Sequence, residues 1–456
     1  MRTVQEARLS LTPGLAILLG LAVGGFGLIL KRFQLGLGAV THLSDGYPWG
    51  FWIGVDVLVG IALAAGGFVM AGMVHVFGGR RFEPLARPAI LTALLGYLLF
   101  IGALVVDLGR PWHIWKALIS WNHRSPMFEV AWCVMFYTCV LVLEFAPVAL
   151  ERFGLRRAQR AWYVLSPLAV TAILTLFVYA MTLHVGWAAF VLVVLLGWEV
   201  LMRHGLMPRD KQMPVLLILA GMILSTLHQS SLGSLFLIVE KLNPLWHTPI
   251  LPLLFFASAV MVAPAVVIIE ATITSRVLRR GSESWLLEDL ARGMPYLIGT
   301  YLAFRLTDSV VRGVIVETVA MSTAAAWWCL EIGLLVIALW MFRRPELCGD
   351  SNCRLSAAVL TALAVVVHRI GVSMVGIESA GYPIYIPSVM EVLITAGIVA
   401  AGLLAFRIAV EVLPVYEPAE LGPRASAMRP RANGRRRAEP GQAELGLSSP
   451  ARGRVT

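Results

Sequence analysis

Charged residues are scarce in this 456-residue chain, and lysine is almost missing. Only 14% of the residues are charged, whereas 58% are hydrophobic and the mean hydropathy is +0.79. An ordinary soluble domain carries about 25% charged and about 45–50% apolar residues. A water-soluble fold could not bury this excess, which excludes a soluble enzyme. The formal charge is nonetheless +10, from 37 Lys+Arg against 27 Asp+Glu, and only four of the basic residues are lysines.

Cysteine is too sparse to build a metal centre. Of the five cysteines, Cys133, Cys139 and Cys329 fall inside apolar runs, where they are expected to pack as small apolar side chains. Cys348 and Cys353 form a lone C-x4-C pair. Zinc or an iron–sulfur cluster usually takes about four such ligands, so we expect neither a metal ion nor a cluster in this chain.

Long apolar runs, by contrast, are abundant. A membrane span needs about 20 mostly apolar residues to cross a hydrocarbon core of about 30 Å. The sequence contains twelve such runs, near 14–31, 51–77, 88–108, 127–149, 162–183, 187–203, 213–232, 250–275, 294–316, 324–342, 355–376 and 387–410. We therefore predict an all-α fold, a polytopic transmembrane helical bundle of about twelve spans.

The positions of the basic residues predict how these spans are oriented. Cytoplasmic loops of membrane proteins are enriched in Lys and Arg. Alternate connections contain 19 basic residues on one side, before the C-terminal tail is counted, and six on the other. Both termini are therefore predicted to be cytoplasmic.

A change of composition divides the chain into a membrane domain, 1–411, and a basic tail, 412–456. The tail contains the run RRR at 435–437 among many Pro, Gly, Ala and Ser residues, with almost no large apolar side chains. It cannot bury enough surface to fold, so we predict a disordered cytoplasmic tail. Its expected partner is the anionic surface of the lipid bilayer, not nucleic acid.

Ionisable and aromatic residues gather at the opposite, outer ends of the spans. An ionisable group inside a span is costly and usually functional. One outer pocket is predicted to be lined by Asp56, Asp107, Arg110, Trp112, Glu129, His228, Gln229 and His42. Such a pocket suits a quinone, because His or Arg can donate to its carbonyl oxygens and nearby acids can supply the protons for its reduction.

Simpler interpretations remain open for the individual residues. Asp107 and Arg110 can form an interfacial ion pair that ends a helix, because they are three residues apart. The tryptophans can belong to ordinary aromatic belts. His228, which falls near the end of the seventh run, can be a helix-terminal histidine. The functional interpretation therefore depends on the convergence of these residues.

A second set of ionisable residues falls within the spans. Its members are Glu270, Arg305, Asp308, Glu317, Glu331, Arg369 and Glu391. Arg305 and Asp308 are about one turn apart and can neutralise each other. The set predicts either an intramembrane proton route through Glu270, Arg305, Asp308, Arg369 and Glu391 or structural pairs between helices. No two span histidines share a depth at which they could hold a b-type haem.

Several motifs together resemble one family of membrane proteins. They are YPWGFWIGVD at 47–56, PAILTALLGY at 88–97, DLGRPW at 107–112, MFEVAWC at 127–133, LSTLHQSSLGS at 224–234 and PLW at 244–246. Over roughly residues 10–410 the chain resembles the NrfD/polysulfide reductase superfamily. It resembles most its HybB-like branch, the membrane "cytochrome b" subunit of periplasm-facing nickel–iron hydrogenases. Residues 162–203 depart from the family pattern and look like an inserted pair of spans.

The resemblance implies cofactors and partners that composition alone does not. Members of this superfamily are quinone-interacting subunits, usually without haem, that dock to a ferredoxin-like iron–sulfur subunit. The implied cofactor is a quinone, menaquinone or ubiquinone, with no haem or iron–sulfur cluster in this chain. The implied partners are the iron–sulfur subunit on the periplasmic face and hydrogenase or other redox catalytic subunits, with a multihaem cytochrome as one option. The implied location is the bacterial inner membrane.

We therefore expect the quinone/quinol-reactive membrane subunit of a multisubunit respiratory oxidoreductase. The complex is expected to be hydrogenase-linked or, alternatively, a related sulfur-metabolism complex. A twelve-span secondary transporter and a purely structural anchor are the other classes considered. No obvious repeat relates the two halves of the sequence, and the polar residues gather at one boundary, which disfavours a transporter.

Overall fold

The chain folds into a bundle of long helices. The computed structural model describes residues 12–204, 215–278, 284–319, 322–378 and 384–416. Within these ranges it is all-α, without a β-strand and with one isolated bridge between Leu242 and Ile377. The predicted fold class is thereby confirmed. The predicted tail lies almost entirely outside the described residues.

The long helices are labelled α1 to α12 in chain order. They are α1 Pro13–Leu35, α2 Trp52–His75, α3 Glu83–Asp107, α4 Pro126–Arg152, α5 Arg156–Thr182, α6 Val185–Arg203, α7 Val215–Leu237, α8 Leu251–Val277, α9 Ser284–Val311, α10 Thr323–Phe342, α11 Ser351–Val375 and α12 Val389–Val412. We call the end of the bundle at which α3 reaches Asp107 the outer end, and the opposite end the inner end.

Each of the twelve predicted spans corresponds to one of these helices. Ten of the helices in the described ranges are long and apolar enough to cross a membrane. Of the other two, α6 has an apolar part of only Val185–Leu201, and α9 carries charged residues from Glu288 to Asp308. The helices α5 and α6 coincide with the predicted extra pair: α5 packs against α4 and α7, and α6 packs mainly against α5.

Two of the helices change their winding in their outer parts. The first residues of α2, Trp52–Val59, and the last residues of α11, Gly371–Val375, are π-helical. π-Helical turns widen a helix locally and are frequent at functional sites. The two segments touch, since a Cβ at Gly54 would lie 2.6 Å from Ser373 Oγ. A larger residue at position 54 would therefore force Ser373 to move.

The core of the bundle consists of two main apolar clusters. One surrounds Tyr97 and Trp132 on α3 and α4, and the other surrounds Tyr301 and Leu335 on α9 and α10. Helices α2 and α8 contribute residues to both clusters. They therefore connect the two halves of the bundle.

Helix α1 lies at the edge and is held by a close contact with α12. A Cβ at Gly397 would lie 2.7 Å from the Cα of Gly25, and a Cβ at Gly25 would lie equally close to the Cα of Gly397. Small residues allow such backbone contacts between membrane helices, where packing replaces the hydrophobic driving force. The glycine pair therefore sets the crossing of α1 and α12.

We expect Gly397→Leu to separate α1 from α12 and to lower the free energy of unfolding by at least about 1–3 kcal/mol, the usual cost of overpacking. Thermal unfolding of the detergent-solubilised chain measures this. The matched control is Gly20→Leu on α1, the other helix of this contact, because nothing lies within 4 Å of a Cβ at Gly20. Equal melting temperatures for the two variants would contradict the role of the glycine contact.

Candidate functional site

Two carboxylates, Asp56 and Asp107, lie close enough at the outer end of the bundle to interact electrostatically. We call them the outer carboxylate pair. Asp56 lies in the π-helical part of α2 and is buried, and its Oδ2 accepts a hydrogen bond of 2.8 Å from Thr395 Oγ1 on α12. Asp107 is the last residue of α3 and is half-buried. The two acids thus lie near each other at the outer end of the bundle.

The cation beside this pair is Arg32, near the outer end of α1. Its side chain is 3% exposed, its Nε donates to Val106 O at 2.5 Å, and its Nη2 donates to Leu108 O. Val106 lies in the last turn of α3 and Leu108 caps it, a region where backbone acceptors lack helical partners and a positive charge is favourable. Arg32 also acts electrostatically on Asp107.

Arg32 takes the place that the sequence suggested for Arg110. The Asp107–Arg110 ion pair considered above is wrong, since within the described ranges no such contact forms and Arg110 is exposed. The sequence places Arg32 directly after Lys31 at the end of an apolar run, which indicated a loop residue. No local pattern shows that its side chain turns back to α3.

Glu391, at the start of α12, is a buried and fully bonded carboxylate in the same outer region. Its Oε2 accepts from the backbone N–H of His42 at 3.1 Å and of Ser388 at 2.7 Å. Its Oε1 accepts from the hydroxyl of Tyr385. Burial, and then the bond to Glu391, raises the pKa of Tyr385, so this phenol remains a donor at neutral pH.

These bonds tie the chain before α2 to the start of α12. Trp52 Nε1 donates to the backbone oxygen of Glu391 at 3.2 Å, and Ser388 Oγ donates to Val40 O at 2.5 Å. Glu391 therefore lies with His42 and not with Arg305, where the sequence had grouped it. His42 itself is exposed, and its ring Nδ1 lies 3.1 Å from Ile386 O.

His228 is buried in the middle of α7, not at the end of a span as the sequence suggested. Helix α7 continues to Leu237, so nine residues, or about 14 Å, separate His228 from its outer end. Its ring packs edge-on against Tyr97 and Phe100 of α3, with centroids 5.7 and 6.1 Å apart. Neither ring nitrogen forms a hydrogen bond of good geometry among the described residues, although the backbone of Val130 lies beside the ring.

One face of α3 connects His228 to the outer carboxylate pair. Phe100 and Asp107 are seven residues apart, which is about two turns, so they share this face with a separation of roughly 10 Å. The neighbouring Gln229 reaches α2, where its Nε2 donates to Ile61 O at 3.1 Å. Helices α2, α3 and α7 thus bring Asp56, Asp107 and His228 to one side of the bundle.

The remaining predicted site residues lie at the rim. Glu129 is half-buried in the first turn of α4, next to Val130, whose backbone lies beside His228. Trp112 is 66% exposed and contacts His113, with ring centroids 6.2 Å apart. Neither Arg110 nor Trp112 joins the buried carboxylates.

A row of buried polar side chains runs inward from His228, and sequence reasoning missed it. The ring of Tyr97 lies 4.7 Å from that of Tyr137, and Ser225 lies beside both phenols, although none of these three hydroxyls makes a hydrogen bond among the described residues. Glu144 is fully buried on α4, and its Oε1 and the ring of Tyr137 flank the same point at Gly221. We call Glu144, Tyr137, Ser225 and Tyr97 the inner polar row. A tyrosine in an apolar run is usually a core residue. In the sequence, only Glu144 could therefore have indicated that this row exists.

The second predicted set does not form one continuous route. Arg305 pairs with Glu331 at 3.4 Å, while Asp308 pairs with Arg312 at 2.7 Å and accepts from Thr248 at 2.7 Å. The expected Arg305–Asp308 pair is therefore wrong. The long arginine side chain reaches a glutamate on α10 instead of an aspartate on its own helix.

The Arg305–Glu331 pair belongs to a larger buried cluster, which we call the Arg305 cluster and which also contains Tyr301, His368 and Arg369. Glu331 Oε1 accepts from Tyr301 at 2.5 Å and lies 3.2 Å from His368 Nδ1. Arg369 donates to Phe255 O and Ser258 Oγ, both at 3.0 Å. Glu317 is exposed outside this cluster.

Glu270 lies apart from these groups, in the inner third of α8. It accepts from Thr92 at 2.6 Å and from Tyr416, which follows α12, at 3.4 Å. Glu270, Arg305 and Glu391 lie in three separate places. The described residues therefore do not connect them into a single proton route.

The fold and the site define a multi-pass integral membrane protein with a buried ionisable site in the outer half of its bundle. The chain belongs to the polysulphide reductase, NrfD, family, whose model matches residues 39–379. It is 32% identical to a protein of Nitratidesulfovibrio vulgaris over 422 residues, 89% of this chain and 95% of that protein.

Two relatives have names that describe an oxidoreductase complex. The "probable Ni/Fe-hydrogenase 2 b-type cytochrome subunit" of Escherichia coli is 29% identical over 86% of this chain and 89% of that protein. The "menaquinone reductase, integral membrane subunit" of Nitratidesulfovibrio vulgaris is 25% identical over 85% of this chain and 87% of that protein. This chain is therefore an NrfD-family membrane subunit of the kind found in oxidoreductase complexes, which confirms the family resemblance.

The name of the hydrogenase relative raises the question of haem. A b-type haem in such a subunit takes two axial histidines. His228 lies against Tyr97 and Phe100, and His368 lies against Tyr301, Trp246 and Phe255. In the part of the chain that the structure describes, no second histidine contacts either ring. These residues do not fit a bis-histidine haem, and its absence remains a prediction.

We expect Glu391→Gln to destabilise the outer end of the bundle, because an amide replaces a carboxylate that accepts several hydrogen bonds. The cost is about 1–3 kcal/mol per unsatisfied buried donor. Thermal unfolding in detergent measures it, with Glu317→Gln as the exposed control. Unchanged stability in Glu391→Gln would show that this carboxylate does not hold the outer segments together.

Proposed function

We propose that this chain is the quinone/quinol-reactive membrane subunit of a respiratory oxidoreductase. Electrons pass between an iron–sulfur partner on the outer face and the membrane quinone pool. The observation that carries the proposal is the placement of the outer carboxylate pair above His228 along one face of α3. The names of the hydrogenase and menaquinone reductase relatives support the same class.

The chemistry of a quinone matches these side chains. Reduction adds two electrons and two protons and converts both carbonyl oxygens into hydroxyls; oxidation of the quinol reverses every step. The protonated ring nitrogen of His228 can donate to one oxygen, since neither ring nitrogen has a hydrogen-bond partner among the described residues. Asp56 or Asp107, at the other side of the ring, exchanges the proton of the second oxygen. Arg32 limits the electrostatic cost of ionising Asp107.

The protons for this reaction need a path through the bundle. We assign it to the inner polar row, because Glu144, Tyr137, Ser225 and Tyr97 approach His228 from the inner side. Hydroxyl groups can both donate and accept, which is what a proton relay requires. The residues Glu270, Arg305, Asp308, Arg369 and Glu391, first considered for such a route, are bound into separate local pairs.

The catalytic partner is the less specific part of the proposal. A hydrogenase-linked complex is favoured by the resemblance and by the name of the Escherichia coli relative. A sulfur-metabolism complex is the alternative within the same class. A secondary transporter is disfavoured, because no obvious repeat relates the two halves of the sequence.

We expect Asp56→Asn to lower quinone turnover by about 10²–10⁴-fold, the range for loss of a general acid or base, while the complex still assembles. The assay uses the complex purified with its redox partners and a short-chain quinone. Asp45→Asn, an exposed change on the same face, is the control. Full activity in Asp56→Asn would remove Asp56 from the site.

We expect Glu144→Gln to slow quinone turnover several-fold without weakening the binding of a quinone analogue, because it interrupts proton delivery and leaves the site intact. Turnover and analogue titration by fluorescence quenching measure the two effects. Glu151→Gln is the matched control, since Glu151 is exposed on the same helix. Equal turnover in both variants would exclude the inner polar row as the proton path.

A further inference from the structure

A cavity of about 390 Å³ opens at the inner end of the bundle, away from the site described above. It lies between α9, the inner end of α10 and the short helix Pro345–Gly349. Its walls include Glu288, Arg292, Tyr296, Phe342, Arg343 and Cys348. We propose that this cavity binds the phosphate-bearing headgroup of an anionic phospholipid.

The depth of the cavity matches the boundary of the hydrocarbon core. Helix α10 has 20 residues, so it spans about 30 Å, the thickness of that core. Its last residue, Phe342, therefore marks the inner boundary, and Arg343 follows directly. Lipid phosphates lie at this level.

The lining has one basic and one apolar side, as a phospholipid has. Arg343 provides the basic side, whereas Arg292 and Glu288, which also line the cavity, pair with each other. Tyr296, on a membrane helix, is 79% exposed, and the nearby Trp340 is 52% exposed. Exposed aromatic side chains at the end of membrane helices contact the glycerol and upper acyl region of lipids.

The charges around the cavity leave Arg343 available for an anion. Arg292 is paired with Glu288 at 2.7 Å and with Asp289 at 3.0 Å, and Asp289 also pairs with Arg81. These two acids and two arginines neutralise one another. Arg343 has no ion pair within the described ranges, and Arg344 stacks on Trp340 at 4.8 Å. Basic pockets between helices on the cytoplasmic side bind anionic lipid headgroups.

The test is the thermal stability of the full chain in a mild detergent with added cardiolipin, phosphatidylcholine or inorganic phosphate. We expect cardiolipin to raise the melting temperature and the other two additions to leave it nearly unchanged. Arg343→Gln should lose more than half of the cardiolipin shift. Arg343→Lys, which keeps the charge, should retain most of it.

The matched control is Arg157→Gln, which removes one exposed positive charge elsewhere on the inner face. It should keep the full cardiolipin shift. An equal loss in Arg157→Gln and Arg343→Gln would reduce the effect to general surface charge and overturn the site. A shift of the same size with inorganic phosphate would also overturn it, in favour of a soluble anion.

Discussion

An ionisable side chain at the centre of a membrane span costs about 3 kcal/mol of insertion free energy. The structure of this chain depends on which hydrogen bonds and ion pairs offset that cost for each buried ionisable group. Some groups are held by several polar partners or by an opposite charge. Glu391 accepts from His42, Ser388 and Tyr385, and Arg305 pairs with Glu331. These contacts hold helices together, although Arg305 Nε remains without a hydrogen-bond partner among the described residues.

Other buried groups are only partly compensated, and they lie together. Asp56 has one hydroxyl partner, His228 has none among the described residues, and Glu144 retains a carboxylate oxygen without one. In a low-dielectric interior, such groups remain sensitive to protons and to polar ligands. These groups lie beside α3, in one half of the bundle. The Arg305 cluster stabilises the other half. The π-helical segments of α2 and α11 meet where these halves join.

Hydropathy and the pattern of basic residues were enough to predict the twelve helices, because each span must satisfy its own backbone hydrogen bonds. The site was predictable only where a carboxylate or histidine interrupts an apolar run, as Asp56 and His228 do. Arg32 could not be predicted, since its contact with α3 joins residues 74 positions apart. The Arg305–Asp308 pair was predicted wrongly, because spacing along one helix says nothing about a closer glutamate on the next. Tyr97 and Tyr137 look like core residues until their neighbours are known.

The central claim is that quinone binds in the outer half of the bundle, between Asp56, Asp107 and His228. Photo-crosslinking with an azido-quinone, followed by peptide mapping of the intact complex, tests it directly. The account predicts labelled peptides from α2, α3 and α7, with labelling suppressed by excess unlabelled quinone. Competable labelling confined to α9, α10 and α11, around the Arg305 cluster, would contradict it.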